Sequence, residues 1–186
     1  YREELRDFLP DRIFDLHSHL APPGTMQQPS AERLARYWPL RLPVIQSAKE
    51  YLADYAALLP GKHIEMATFG MPVLESDVEA QNREILAAAR HYRRIHPFLV
   101  VRPDITEAEL EGALAPPQGG VRYVGLKPYP DFVRGDSPGE EDIAQFLTPA
   151  MCRAAERNEV PVMLHIAKKQ RFADPRNIEA LLRLHE

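Results

Sequence analysis

Phe14-Asp15-Leu16-His17-Ser18-His19 is a short apolar run that ends in two histidines spaced i and i+2. Residues two apart in a β-strand point to the same face, so His17 and His19 should project side by side from one strand end. A strand end of this kind offers two imidazoles to one metal ion. Two solvated histidines are the plainer reading of an isolated His-x-His, and the rest of the chain has to decide between them.

Outward from that run, residues 12–17 read as a first strand, preceded by an amphipathic lead-in with Leu5, Phe8 and Leu9. Residues 20–60 form a long excursion. It is broken by Pro22-Pro23-Gly24 and carries helical pieces near 31–38 and 47–59, the second with a capping box of Ser47 and Glu50. A connection of this length suits a lid or pocket wall, with Tyr37 and Trp38 read as packing residues ahead of pocket residues.

The second strand falls within 63–73. A helix is expected to start at Ser76, capped by Glu79, with Val78, Ile85, Leu86, Ala89 and Tyr92 on one stripe. Residues 98–103 are a continuously apolar strand of the kind buried on both faces, followed by a helix over 106–114 with Thr106 and Glu109 as its box. Residues 121–127 give a fourth strand, followed by a polar loop with Gly135 and Gly139. Helical pieces at 140–147 and 149–158 come next, the latter with Thr148 as cap and Pro149 at the first helical position. A fifth strand is expected over 160–166, and Asp174-Pro175 opens a last helix bearing Ile178, Leu181 and Leu182.

Short strands rich in Val, Leu, Ile or Met that alternate with helices indicate an α/β fold with a parallel sheet. An open doubly wound sheet would be expected to carry a glycine-rich phosphate loop after strand one, and His17-Ser18-His19-Leu20-Ala21-Pro22 is not one. A (β/α)8 TIM barrel is favoured, with only its first five β/α units in these 186 residues, since a full barrel takes about 250. The expected organisation is a single incomplete barrel domain over 1–186. The chain lacks an initiator methionine and is expected to be processed or a piece of something longer.

The composition, 45% hydrophobic and 27% charged, excludes a disordered chain. A net charge of −4 gives no basic footprint for nucleic acid or an anionic membrane, so neither is an expected partner. No apolar run approaches the roughly 20 residues that span a bilayer. Cys152 is the only cysteine, which excludes an intrachain disulfide and points to a reducing, cytoplasmic setting. Cys152 itself reads as a small packing residue.

In a barrel the chemistry gathers at the C-terminal ends of the strands. Strand one ends in His17 and His19, strand three in Arg102, strand four in Lys127 with Tyr129 beyond it, and strand five in His165. This recurrence at the exits moves the weight from solvated histidines to a metal site.

The run Phe-Asp-Leu-His17-Ser-His19, with Gly125-Leu126-Lys127-Pro128 and Val162-Met163-Leu164-His165, resembles the amidohydrolase superfamily. The nearest branch is the amidohydrolase-related group that includes aminocarboxymuconate semialdehyde decarboxylase type enzymes. The resemblance covers essentially the whole chain, Asn82 included. It implies that His17, His19 and His165 are metal ligands, zinc fitting best and manganese or iron also suiting such donors. The ion would acidify bound water and polarise a substrate carbonyl. The resemblance makes Lys127 the catalytic candidate, either as a carbamylated bridge between two metals or in contact with substrate; the plainer reading is an ammonium paired with a carboxylate.

Arg102 and Tyr129 are the candidate substrate-binding residues, and the basic loop Ala167-Lys168-Lys169-Gln170-Arg171 could draw a carboxylate. Solvated surface charge is the preferred account of Lys168 and Lys169. Asp15 is expected in register with the histidines, as a partner for a neighbouring polar group. The family also needs a strand-six histidine and a strand-eight aspartate. His185, in the last helix, cannot replace the former, so a continuation of roughly 100 residues is expected.

The leading expectation is a metal-dependent hydrolase that uses metal-activated water on a small ester, lactone or amide, and a homo-oligomer is compatible with it. The alternative is a nonoxidative decarboxylase of a small carboxylic acid. A TatD-like nuclease is less favoured because Lys127 stands where that type has a glutamate. A noncatalytic metal-binding half-barrel is the remaining class.

Overall fold

Prolines, caps and strand pairing account for most of the element boundaries. The computed structural model describes residues 4–44, 46–115, 120–133 and 139–184; Gly135 and His185 lie outside the described residues. The chain divides into two compact units, Tyr1–Met71 with Glu75–Phe98, and Pro72–Leu74 with Leu99–Glu186. The fold is α/β, and its four strands are ordered β1-β2-β3-β4 in one parallel sheet.

In the first unit, β1 (Arg12–His19) is followed by α1 (Ala31–Arg36), α2 (Ala48–Leu58), β2 (His63–Phe69), α3 (Val78–His91) and the start of β3 (Ile95–Val101). Parallel pairing joins β1 to β2 and β2 to β3. Ser47 and Glu50 form the predicted box on α2. The cap of α3 is Asp77, whose carboxylate accepts from the Ala80 amide, and not Ser76. Ser76 is drawn away because its hydroxyl donates to the Met71 carbonyl at 2.6 Å. Trp38 is also not a packing residue: it sits in a 3-10 turn after α1 and is 61% exposed.

The face of the sheet that carries Glu65 has an ion cluster at the strand starts. Glu65 accepts from Arg12 at 3.1 Å and meets His63 at 3.3 Å and His96 at 2.8 Å. The His96 and Arg12 bonds hold its carboxyl well down, at about 2.

In the second unit, the end of β3 leads to α4 (Glu107–Leu114), β4 (Gly125–Pro128), α5 (Ile143–Phe146), α6 (Pro149–Arg157) and α7 (Pro175–Arg183). Thr106 with Glu109 caps α4, and Thr148 caps α6 ahead of Pro149, as predicted. Side-chain caps of this kind contribute about 1 kcal/mol each. Leu110 and Leu114 of α4 and Met151, Ala154 and Ala155 of α6 are buried, and Arg153 and Arg157 bond Glu107 across the outside of the pair.

The expected fifth strand is reduced to one parallel bridge, Leu126 with Val162. The Leu126 amide donates to the Pro161 carbonyl at 3.0 Å and the Met163 amide to the Leu126 carbonyl at 2.8 Å. One step further along a parallel ladder, position 128 would have to donate, and one step back, position 161 would. Both are prolines and have no N–H, so the ladder cannot extend in either direction. Among the described residues no helix is long and apolar enough to cross a membrane.

Candidate metal centre

Each unit contains part of the predicted residue set. In the first, the pairing of β1 with β2 changes phase. Asp15 stands opposite Met66, yet Ser18 stands opposite Thr68 and His19 opposite Phe69, so β1 spends three steps where β2 spends two. This is a β-bulge with its extra residue at Leu16-His17. Met66 and Phe69, three apart, point to opposite faces, and so therefore do Asp15 and His19. Asp15 is not in register with the histidines, contrary to the alternation expected from sequence.

The two faces of β1 have different surroundings. On the Asp15 face lies α2: the Tyr55 hydroxyl donates to Asp15 Oδ2, and Tyr51 sits against Ser18 and the His19 backbone. Burial, together with its bond to Asp15, pushes the Tyr55 phenol up; burial does the same for Tyr51. The Ser18 hydroxyl donates to the Ala67 carbonyl at 2.9 Å and is 2.8 Å from Thr68 Oγ1. The helix of the long excursion thus backs β1 on the side away from the histidines.

On the other face, His17 Nε2 and His19 Nε2 are 3.1 Å apart. Both rings stand edge-on to Phe69, with centroids at 5.0 and 4.5 Å. His19 Nδ1 is 3.1 Å from the Gly70 carbonyl, which can only accept, so Nδ1 carries the proton and the Nε2 of the neutral ring is an acceptor. Gly70 is itself fixed, since a Cβ there would lie 2.3 Å from Gln81 Oε1. Gln81 accepts from the Met71 amide at 2.8 Å and donates to the Thr25 carbonyl at 3.2 Å.

Two nitrogens bound to one tetrahedral zinc at 2.0–2.1 Å would be about 3.3 Å apart. The pair therefore fits as one edge of a ligand set, and the Gly70 carbonyl supplies the outer hydrogen bond that metal-binding histidines usually have. Without an ion the same distance suits a bond from His17 Nε2–H to His19 Nε2. Among the described residues, no group of three or more His, Cys, Asp or Glu side chains is arranged to hold a metal ion.

In the second unit, Lys127 on β4 is 1% exposed, and burial pushes its ammonium down to about 8. Its Nζ is 5.5 Å from the Tyr129 ring centroid, and that ring lies 4.6 Å from the His165 ring. Lys127, Tyr129 and His165 thus form one group, although the strand expected to end in His165 is only the bridge at Val162. Arg171 donates to the Ile166 carbonyl at 2.9 Å and lies 3.5 Å from His165 Nε2. Arg102 stacks its guanidinium over the Phe132 ring at 4.8 Å.

Lys168 is not solvated. Its side chain is fully buried and its Nζ donates to the carbonyls of Glu140 and Glu141 and to Asp142 Oδ1 at 2.8, 3.2 and 2.6 Å. Desolvating an ammonium is tolerable only with such partners, and they come from a loop more than twenty residues away in sequence. Lys169 is exposed, as expected.

Tyr55, Gly70 and Gln81 support the strand and the histidine pair, roles not expected from the sequence. The glycine directly after an apolar strand was the available signal for a close backbone approach. No family model, curated protein or solved structure matches the chain. The class defined by the fold and the site is a parallel α/β protein with a paired imidazole edge at the end of its first strand.

Proposed function

We propose that the protein is a metal-dependent hydrolase of small esters, lactones or amides, built on a (β/α)8 barrel of which this chain supplies the first five units. The sequential strand order β1-β2-β3-β4 supports the barrel, because doubly wound sheets reverse direction partway across. The single parallel bridge to Val162 continues the order.

The observation that carries the function is the His17–His19 pair, with Nε2 atoms 3.1 Å apart and His19 anchored on Gly70. These two residues hold a divalent ion, zinc fitting best. The sequence resemblance adds His165 to the ligand set. A bound ion supplies Lewis-acid polarisation of a carbonyl and a lowered pKa for water. His19 keeps its Nδ1 proton on the Gly70 carbonyl and would present Nε2 to the ion beside Nε2 of His17.

Lys127, with its ammonium weakened by burial, can hold or release a proton near pH 8. Tyr129 lies between Lys127 and His165 and offers a ring and a hydroxyl to a small substrate. Screening the full-length zinc-loaded protein against esters, lactones, amides and aromatic carboxylic acids tests the activity. Ring opening or ester cleavage lost in His17→Ala supports hydrolysis; release of carbon dioxide alone replaces it with the decarboxylase.

A further inference from the structure

We infer that Asp15 is a positioning residue whose carboxylate, held by Tyr55, sets the β1 bulge and thereby decides which face of the strand presents His17 and His19.

With Asp15 opposite Met66, an unbroken ladder would put His17 opposite Thr68 and His19 opposite position 70, all on the face of Asp15 and α2. One inserted residue moves both histidines to the face of Phe69, where their rings are found. A bulge leaves a backbone group without its ladder partner, and an unmet amide in a half-buried strand is costly. Here the His17 amide donates to Asp15 Oδ1 at 2.8 Å.

The second carboxylate oxygen accepts from the Tyr55 hydroxyl, so both oxygens have assigned roles. Tyr55 belongs to α2, whose start is fixed by the Ser47–Glu50 box. A chain of contacts thus runs from the cap of α2 through Tyr55 and Asp15 to the backbone of His17. Asp15 lies on the opposite face of β1 from His19 and bonds the backbone of His17, so it acts through the strand it shapes.

This inference rests on the metal reading for its affinity arm alone; the conformational arm stands without it. The test uses the isotope-labelled full chain and the variants Asp15→Ala, Asp15→Asn and Tyr55→Phe. Asn keeps an oxygen for the His17 amide, whereas Ala removes it. In Asp15→Ala the His17 amide should exchange at least about tenfold faster, and the ring-to-ring contact of His17 with Phe69 should disappear from the NMR spectrum. Asp15→Asn should retain both, and Tyr55→Phe should show an intermediate loss while staying folded.

Zinc affinity by calorimetry should fall about tenfold or more in Asp15→Ala and remain close to the parent in Asp15→Asn. Should Asp15→Ala fail to fold, Asp15→Asn and Tyr55→Phe decide. An unchanged His17 amide and intact ring contacts in Asp15→Ala, or in Tyr55→Phe when that variant has to decide, would overturn the inference. If the parent chain binds no zinc while the amide and ring changes occur as stated, the metal reading fails and the positioning role of Asp15 stands.

Discussion

Asp15 and His19 lie on opposite faces of β1, although residues four apart in a regular strand share a face. One extra residue between them separates a structural carboxylate, bonded to Tyr55, from a pair of imidazoles whose Nε2 atoms are 3.1 Å apart.

The anchor of His19 is sensitive to any side chain at position 70. A Cβ there meets Gln81 Oε1 at 2.3 Å and Gln81 Cβ at 3.0 Å, and Gln81 is itself held by two backbone groups. Gly70→Ala should therefore destabilise the chain by about 1–3 kcal/mol, the usual cost of overpacking. Urea unfolding at pH 7 measures it, and an unchanged midpoint would contradict the packing described.

Buried Lys127 should leave a signature at alkaline pH. Its pKa falls from 10.5 to about 8 on folding, so between those values the unfolded chain binds more protons than the folded one. Native stability then rises with pH across that window, by about 3 kcal/mol from this group. In Lys127→Met this rise should vanish. Urea unfolding of both proteins from pH 7 to 10.5 should show curves that converge as pH increases.

Glu65 acts in the acid range with the same sign, because its lowered pKa also leaves the unfolded chain binding more protons there. Its carboxyl is lowered from 4.5 to about 2, first by His96 and then by Arg12, so its contribution is complete above pH 4.5 and lost as pH falls toward 2. Glu65→Gln should flatten the acid limb of a stability-against-pH curve and leave the alkaline limb alone. A parallel shift at all pH values would show that the cluster is not ionic in origin.

Lys168 ties residues 140–142 to the segment after His165. Lys168→Met removes three donated bonds and should cost about 1–3 kcal/mol. Asp142→Asn should cost less than 1 kcal/mol, roughly the worth of a pair with one partner in water, because the Asp142 side chain is 58% exposed. Equal losses in the two variants would mean that the carboxylate, not the carbonyls, holds the ammonium.

Local features were legible in the sequence and pairing-dependent ones were not. The caps at Ser47, Thr106 and Thr148 depend on residues three or four apart, so reading them needs no knowledge of the fold. The existence of the four strands followed from apolar runs between helices, and their order in the sheet is seen only in the pairing. The bulge in β1 was hidden because register belongs to two strands, and only Met66 and Thr68 on β2 reveal that β1 carries an extra residue. The loss of the fifth strand was readable in principle from Pro128 and Pro161. The burial of Lys168 was not, since its carbonyl partners come from a distant loop. Lys127, Tyr129 and His165 do lie together, but the strand expected to carry His165 to that place is reduced to a bridge at Val162.

The proposed binding of a divalent ion by His17 and His19 is tested most directly by titration with zinc. Calorimetric titration of the metal-free full-length protein with zinc should show a site with micromolar or tighter affinity, and the His17→Ala/His19→Ala double variant should lose it while keeping its fold by circular dichroism. Equal zinc binding in the parent and the double variant, or none in the parent, would contradict it.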